Sequence, residues 1–311
     1  MGCGYDIIGD IHGHADSLRA LLGELGYRLV DGVMRHPSRT AIFLGDFIDR
    51  GPAQRETIAL VRPMIDRGGA LAVMGNHEFN AISYDTLNPA TDEPLRRHST
   101  RNTQQHQAFL DSYSGAERSE VLAWFRTLPL WLELDGLRVV HACWDKGVIA
   151  RIARFQGGSA LLGDPLLHAS ARRDTWQYEA IETVLKGKEV ELKDGLGFHD
   201  KDGHLRHNIR VRWWDAGVST YQEAFMGPES ARTHIPDDDI GGDHLVEYGH
   251  AERPVFLGHY WLEGEPAPLA ANVACVDYSV AKPGGNLVAY RWDGEAVLTA
   301  EKFVAVARVE G

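Results

Sequence analysis

Three short polar clusters carry the residue types of a metal site: Gly9-Asp10-Ile11-His12-Gly13, Gly45-Asp46-Phe47-Ile48-Asp49-Arg50-Gly51 and Gly75-Asn76-His77-Glu78. Together they supply carboxylates, imidazoles and an amide, a donor mixture that holds hard and borderline divalent ions. Each directly follows an apolar run, respectively Tyr5-Asp6-Ile7-Ile8, Ala41-Ile42-Phe43-Leu44 and Leu71-Ala72-Val73-Met74. Such runs read as buried strands, so the clusters should sit on loops leaving strand ends. His141, behind Leu137-Arg138-Val139-Val140, and His259, behind Val255-Phe256-Leu257-Gly258, share that setting. The mixture suits manganese, iron or zinc better than calcium, which takes oxygen alone. Glycines beside the candidate ligands (Gly9, Gly45, Gly75, Gly258) permit sharp strand exits and close backbone approach.

The elements that must position these loops alternate through the first half. Leu18, Leu21, Leu22 and Leu25 recur at helical spacing over residues 15–26, with Gly26 as a stop. Residues 54–67 read as a second helix that Pro63 should kink or shorten, and residues 117–128 as a third. This alternation predicts a layered α/β fold. After Pro129 the pattern turns to hairpins. Residues 130–134 and 137–140 flank Asp135-Gly136, and further strands are expected at 210–214, 254–257, 272–276 and 286–292, the last turning at Asp293-Gly294 into 295–298. The two halves are expected to face each other as two sheets with helices outside. Residues 86–107 and 227–249 read as irregular insertions in a single domain spanning 1–311.

Composition narrows the class. A hydrophobic fraction of 44% with 24% charged residues is that of a soluble globular protein. No apolar run approaches the roughly 18–20 residues of a membrane span. The first strand begins too early for a secretory signal to be expected, and Asp6 stands where a myristoylation site wants Ser or Thr. Cys3, Cys143 and Cys275 lack CxxC spacing and are expected to be reduced thiols of a cytoplasmic protein. A net charge of −12 argues against nucleic acid as a partner. Handling phosphate would require a local positive site built from metals and arginines.

Taken in order, GDxHG, GDxxDRG, GNHE, a histidine after a strand, and Gly-His resemble the calcineurin-like metallophosphoesterases, within them the phosphoprotein phosphatase group, from residue 9 to residue 259. The resemblance implies an α/β fold: a four-layer αββα sandwich of two facing mixed sheets flanked by helices. It implies two divalent metal ions, manganese foremost, with iron, zinc, cobalt, nickel or magnesium in the same role. Asp10 and His12 match ligands of one ion, Asp46 the bridging carboxylate, and Asn76, His141 and His259 ligands of the other. His77 matches a general acid, Asp49 its orienting carboxylate and Arg50 a phosphate-gripping arginine; Asn76 would also meet substrate. The implied chemistry is in-line attack by a hydroxide shared between the ions, with His77 protonating the leaving oxygen. Arg50 offers the bidentate fork that suits phosphate.

Other positions are less specific. Arg210 and Arg212 should share a strand face, and Arg212 is taken as the second phosphate-binding arginine against a surface pair packed beside Trp213-Trp214; Arg232 is a weaker candidate. Tyr278, after a strand, matches a tyrosine that relatives hold over the active site. His141-Ala142-Cys143-Trp144 and Gly258-His259-Tyr260-Trp261 depart from the family's usual blocks and leave the pocket's shape open. Cys143 reads as a packed thiol. Residues 199–204 read as a hairpin turn instead of a calcium loop, and Asp237-Asp238-Asp239 as a solvated loop. The function expected is hydrolysis of phosphomonoesters by a serine/threonine-type protein phosphatase, towards which Glu78 leans. The alternative is a symmetrical dinucleoside tetraphosphate hydrolase. A third reading is a non-catalytic metal scaffold. The partner is a phosphorylated protein or a small phosphate ester, without nucleic acid or membrane.

Overall fold

Short apolar strands build the centre of the computed structural model, which describes residues 4–199, 205–227 and 229–309. Gly4–Ile8, Arg39–Phe43 and Ala70–Ala72 pair in parallel, with Ile7 opposite Ile42 and Ile42 opposite Leu71. Asn286–Trp292 joins antiparallel to Gly4–Ile8, placing Tyr290 opposite Ile7, and Asp277–Tyr278 and Phe303–Ala307 both pair with it. In the second sheet Val273–Cys275, Val255–Leu257 and Arg138–Val140 run parallel, and Trp131–Glu133 closes the edge antiparallel.

Successive side chains on a strand point to opposite faces, and that period organises the layers. Ile7, Ile42, Leu44 and Val73 meet Leu137, Val139, Phe256 and Ala274 in a core between the sheets. Their neighbours Ile8, Ala41 and Phe43 belong instead to the cluster that holds Leu18, Leu21, Leu22, Val61 and Met64 of helices Ala15–Glu24 and Gln54–Asp66. Val140, Val255 and Leu257 likewise join Ile152, Leu167, Ile181 and Val184 from helices Lys146–Phe155, Asp164–Ser170 and Trp176–Lys186. The order is helix, sheet, sheet, helix, as expected. Burying each of these large side chains contributes roughly 1.5–3 kcal/mol. The consequence for function is topological: parallel strands in both sheets release their C-terminal loops at one edge, where α/β sheets place their sites.

Several expectations are corrected. The last strands of the chain, Asn286–Trp292 among them, complete the first sheet, so the halves do not each own one. Pro63 does not shorten its helix, which continues to Asp66, because a proline in the final turn forfeits only one hydrogen bond. The segment 86–107 is not irregular throughout. A thirteen-residue helix, Thr100–Ser112, begins inside it, and the Ser99 side chain caps it by accepting from the Asn102 N–H at 3.3 Å. The strand expected at 210–214 ends at Arg210, since Val211 makes only an isolated bridge to Phe225. No strand forms over 295–298; the partner of Asn286–Trp292 is Phe303–Ala307. Residues 200–204 lie outside the described residues, but Phe198–His199 and Leu205–Arg206 on either side pair antiparallel.

Candidate metal centre and its cleft

Backbone conformation marks the site before any side chain is considered. His12, Asp46, Asp49, Arg50 and His259 all have positive φ, between 47° and 69°, a region that costs a non-glycine residue about 1–3 kcal/mol. Such strain persists only where surrounding contacts enforce it. Here the loops press on one another: a Cβ at Gly75 would lie 2.2 Å from Asp46 Oδ1, and one at Gly258 2.1 Å from Asp10 Oδ1. Asp46 Oδ1 accepts the His77 N–H at 2.9 Å, so the first turn of helix Asn76–Asp85 directs its positive end at that carboxylate.

Asp46 is the hub. Its Oδ2 lies 3.6 Å from His12 Nε2, 3.5 Å from His141 Nε2 and 3.9 Å from His77 Nε2. Two groups with metal-binding spacing share it: His12, Asp46 and His77, and Asp46, His141 and His259. Asn76 Oδ1 stands 3.1 Å from His141 Nε2 and 2.7 Å from His259 Nδ1. Asp10 falls outside both groups, although its Oδ2 accepts the His259 N–H at 3.0 Å. The other ring nitrogens set the tautomers. His12 Nδ1 donates to the Ile48 carbonyl at 3.0 Å and His141 Nδ1 to the Leu44 carbonyl at 2.6 Å, which turns each Nε2 towards the centre.

This donor set fits a cation. Asp10 Oδ1, His12 Nε2 and His259 Nε2 are buried without a hydrogen-bond partner, a costly arrangement unless something positive satisfies them. Burial, aided by Asp277, pushes the Asp10 carboxyl well above the usual carboxylate range. Burial resists charging His141, yet Asp46 and Asp10 outweigh it and raise the ring to about 10. Burial and nearby His77 drive His12 the other way, to about 3. The carboxylates thus draw positive charge into a pocket that burial makes hostile to it.

Beside the centre, His77 Nδ1 meets Asp49 Oδ2 at 2.6 Å, joining the pair that the sequence nominated as acid and orienting carboxylate. Burial disfavours the charged ring, but Asp46 and the bond to Asp49 hold the His77 pKa above its ordinary value. The other Asp49 oxygen is taken by His106, which no motif had flagged. Arg50 is nearby, its guanidinium 4.3 Å from the Trp261 ring centroid, and that indole lies 5.5 Å from His12. The departures in the last two blocks also acquire a purpose. The Tyr260 hydroxyl donates to the Ala142 carbonyl at 3.1 Å, tying the His259 loop to the His141 loop.

A cleft of about 980 Å³ opens over His77, Asn76 and Arg50 and is lined by Arg96, Arg97, Arg101, Arg173, Lys186, Arg206 and Arg210. Among the described residues Arg50, Arg96, Arg97, Arg101 and Arg173 form no ion pair within 4.0 Å. Burial pushes the Arg96 guanidinium down; its bonds go to neutral Asn80 and Gln105, at 3.1 and 3.3 Å. Arg210 lines the cleft and Arg212 does not, reversing the sequence choice. Strict alternation fails because the strand stops at Arg210 and the chain turns at Trp213, whose N–H bonds back to the Val211 carbonyl. Arg232 also lies off the cleft and donates to the Gln222 carbonyl at 3.0 Å. Tyr278 is not over the site. It is buried in the inter-sheet core, and its hydroxyl accepts the Ala267 N–H at 3.0 Å. Cys143 and Cys275 are buried, free and pushed up by burial, so Cys143 is the packed thiol expected.

Two facing sheets whose strand ends converge on paired metal-binding groups define a metallophosphoesterase architecture. Residues 5–251 match the calcineurin-like phosphoesterases, and the chain belongs to that family. The family hydrolyses phosphoester bonds at a dinuclear divalent metal centre, and the His and Asp groups described above are of the kind that binds such ions. The symmetrical bis(5'-nucleosyl)-tetraphosphatase of Aromatoleum aromaticum is 30% identical over 291 residues, 86% of this chain and 88% of that protein. The asymmetrical bis(5'-nucleosyl)-tetraphosphatase PrpE of Bacillus velezensis is 34% identical over 167 residues, 51% of this chain and 64% of that protein, so the match spans less than two thirds of that relative's length. A serine/threonine phosphatase from Saccharomyces cerevisiae with similarity to human phosphatase PP5 has the same fold, with a TM-score of 0.53 at 14% identity over 99% of this chain and 81% of that one. Among the described residues no helix is long and apolar enough to cross a membrane.

Proposed function

We propose that this protein is a single-domain, metal-dependent hydrolase of dinucleoside polyphosphates, cleaving symmetrically. The observation that carries this reading is the cleft, where five arginines form no ion pair among the described residues, in a chain of net charge −12. Concentrating cations without ion-pair partners costs self-repulsion, which a bound polyanion would relieve. One phosphomonoester needs two or three such donors, and a chain of phosphates can engage them all. Two relatives over nearly the whole chain, at 30% and 24% identity, are symmetrical bis(5'-nucleosyl)-tetraphosphatases, which agrees. The protein-phosphatase preference rested on Glu78. That residue is fully buried, and its carboxylate is occupied by backbone amides, so it does not read substrate.

In this reading Asp10, His12, Asp46, Asn76, His141 and His259 would hold two ions, with manganese, iron or zinc suiting the donors. Bound there, such ions supply Lewis acidity and an activated water. Arg50 grips the phosphoryl oxygens from one side and Arg210, close enough to His259 to depress its pKa alongside burial, from the other. His77 delivers a proton from Nε2 to the leaving oxygen while Asp49 fixes the ring through Nδ1. The buried free thiols suit a reducing cytoplasmic setting.

Diadenosine tetraphosphate, a phosphoserine peptide and an aryl phosphate assayed side by side with manganese test the proposal. The expected result is kcat/KM at least about 100-fold higher for the dinucleotide, with two molecules of ADP as product. A preference for the phosphopeptide restores the protein-phosphatase reading, and ATP plus AMP as products removes the symmetrical one.

A further inference from the structure

We propose that His106, on helix Thr100–Ser112, is a positioning residue for proton donation: it pins the carboxylate that orients His77. This extends the site described under Proposed function and rests on His77 being the acid.

The geometry is a three-member chain. Asp49 Oδ2 meets His77 Nδ1 at 2.6 Å and Asp49 Oδ1 meets His106 Nδ1 at 2.8 Å. All three residues are buried. A carboxylate held at one oxygen can pivot about its terminal torsion, which is broad and roughly two-fold. Held at both, it presents Oδ2 to His77 in one orientation. Because a carboxylate only accepts, the His106 nitrogen facing it must carry the proton. That contact also keeps Asp49 ionised: burial alone would raise its pKa, and the bonds from His106 and His77 bring it to about 2.

His106 is itself fixed. Its ring stacks on Phe109 at 4.8 Å and lies 5.5 Å from Tyr84. It joins neither metal-binding group; it also lines the cleft, and its hydrogen bond within the site is the one to Asp49. The same helix carries Gln105, which bonds the cleft residue Arg96 at 3.3 Å. A single element thus braces the acid's orienting partner and one of the cationic walls.

Three substitutions separate hydrogen bonding from packing. His106→Phe keeps the stacked ring and removes the donor. His106→Gln places its amide at the Nε2 position, out of reach of Asp49. His106→Asn places an amide donor where Nδ1 was. Turnover by the manganese-loaded enzyme is compared on phenyl phosphate, a poor leaving group that needs protonation, and on 2,4-dinitrophenyl phosphate, which does not. His106→Phe and His106→Gln are expected to lower kcat on phenyl phosphate by roughly 10–100-fold, part of the 10²–10⁴ a general acid supplies, and to change kcat on the dinitrophenyl ester less than threefold. His106→Asn should retain most of the wild-type ratio. An equal loss on both esters, no loss in either donor-free variant, or failure of His106→Asn to rescue overturns the role of His106. Equal losses on the two esters in His77→Ala would instead remove the acid from His77, and with it the role given to His106.

Discussion

The Glu78 carboxylate accepts the Asp46 N–H at 2.8 Å, and its two oxygens also take the N–H groups of Phe47 (2.8 Å) and Gly75 (3.0 Å). One buried side chain therefore fastens the loop that carries the hub carboxylate to the loop that carries Asn76 and His77. Burial, with Asp46 next in weight, raises its pKa to about 7, so the site spends stability to keep this anion in place. Glu78→Gln puts an NH₂ group opposite a backbone N–H. It should weaken manganese binding by roughly 10–100-fold while leaving the far-ultraviolet circular dichroism unchanged. Calorimetric titration of the ion decides it, and wild-type affinity in the variant would make Glu78 a bystander.

His77 and Asp46 should fail in different ways. His77→Ala removes the proposed donor of the leaving-group proton, and turnover should fall by about 10²–10⁴-fold with bound metal retained. Asp46→Asn weakens the hub shared by both metal-binding groups, so metal content and thermal stability should drop together. Elemental analysis beside steady-state kinetics separates the two. Two tightly held ions in Asp46→Asn would contradict a shared carboxylate.

The candidate metal centre was legible because its signals are local. Each candidate ligand follows its own apolar strand within a few residues. The surroundings of His77 were not legible, because their contacts join distant segments. His106 reaches Asp49 across 57 positions from a polar stretch with no motif. Trp261 stood in plain view as a departure from the usual block, but only the left-handed turn at His259 and Trp261 brings its indole over Arg50. Arg210 and Arg212 were placed on one face by extending a strand that ends at Arg210. Tyr278 was misplaced because a tyrosine after a strand can fill a core as readily as it can cover a site. The layer order was readable from hydrophobic alternation. The return of the C-terminal strands to the first sheet was not, since nothing local encodes which edge a late strand will join.

The cleft arginines make a graded prediction. Arg96→Ala and Arg101→Ala should raise KM for diadenosine tetraphosphate by roughly tenfold each, the worth of one charge-assisted hydrogen bond, and leave hydrolysis of a simple aryl phosphate within twofold. Arg210→Ala should impair both substrates, because Arg210 sits at the metal end of the cleft. Arg212→Ala, off the cleft, should impair neither. Equal effects of all four on the aryl ester would mean that the cleft does not measure phosphate-chain length.

Acid sensitivity of the fold should trace in part to His14. This side chain is buried at the entry to helix Ala15–Glu24, and burial, followed by Arg308, lowers its pKa from 6.5 to about 4. A depressed histidine is neutral in the folded chain and protonated sooner in the unfolded one. The unfolded state thus binds more protons below about pH 6.5, and stability is lost as pH falls from there towards 4. The full shift corresponds to an upper limit of about 3 kcal/mol. His12 and His259 are depressed as well, so only a comparison isolates this residue. Urea unfolding of chelator-treated wild type and His14→Gln at pH 7.5, 6.0 and 4.5 should show the wild type losing about 1–3 kcal/mol more over that range. Parallel pH slopes for the two proteins would mean that His14 titrates alike in both states.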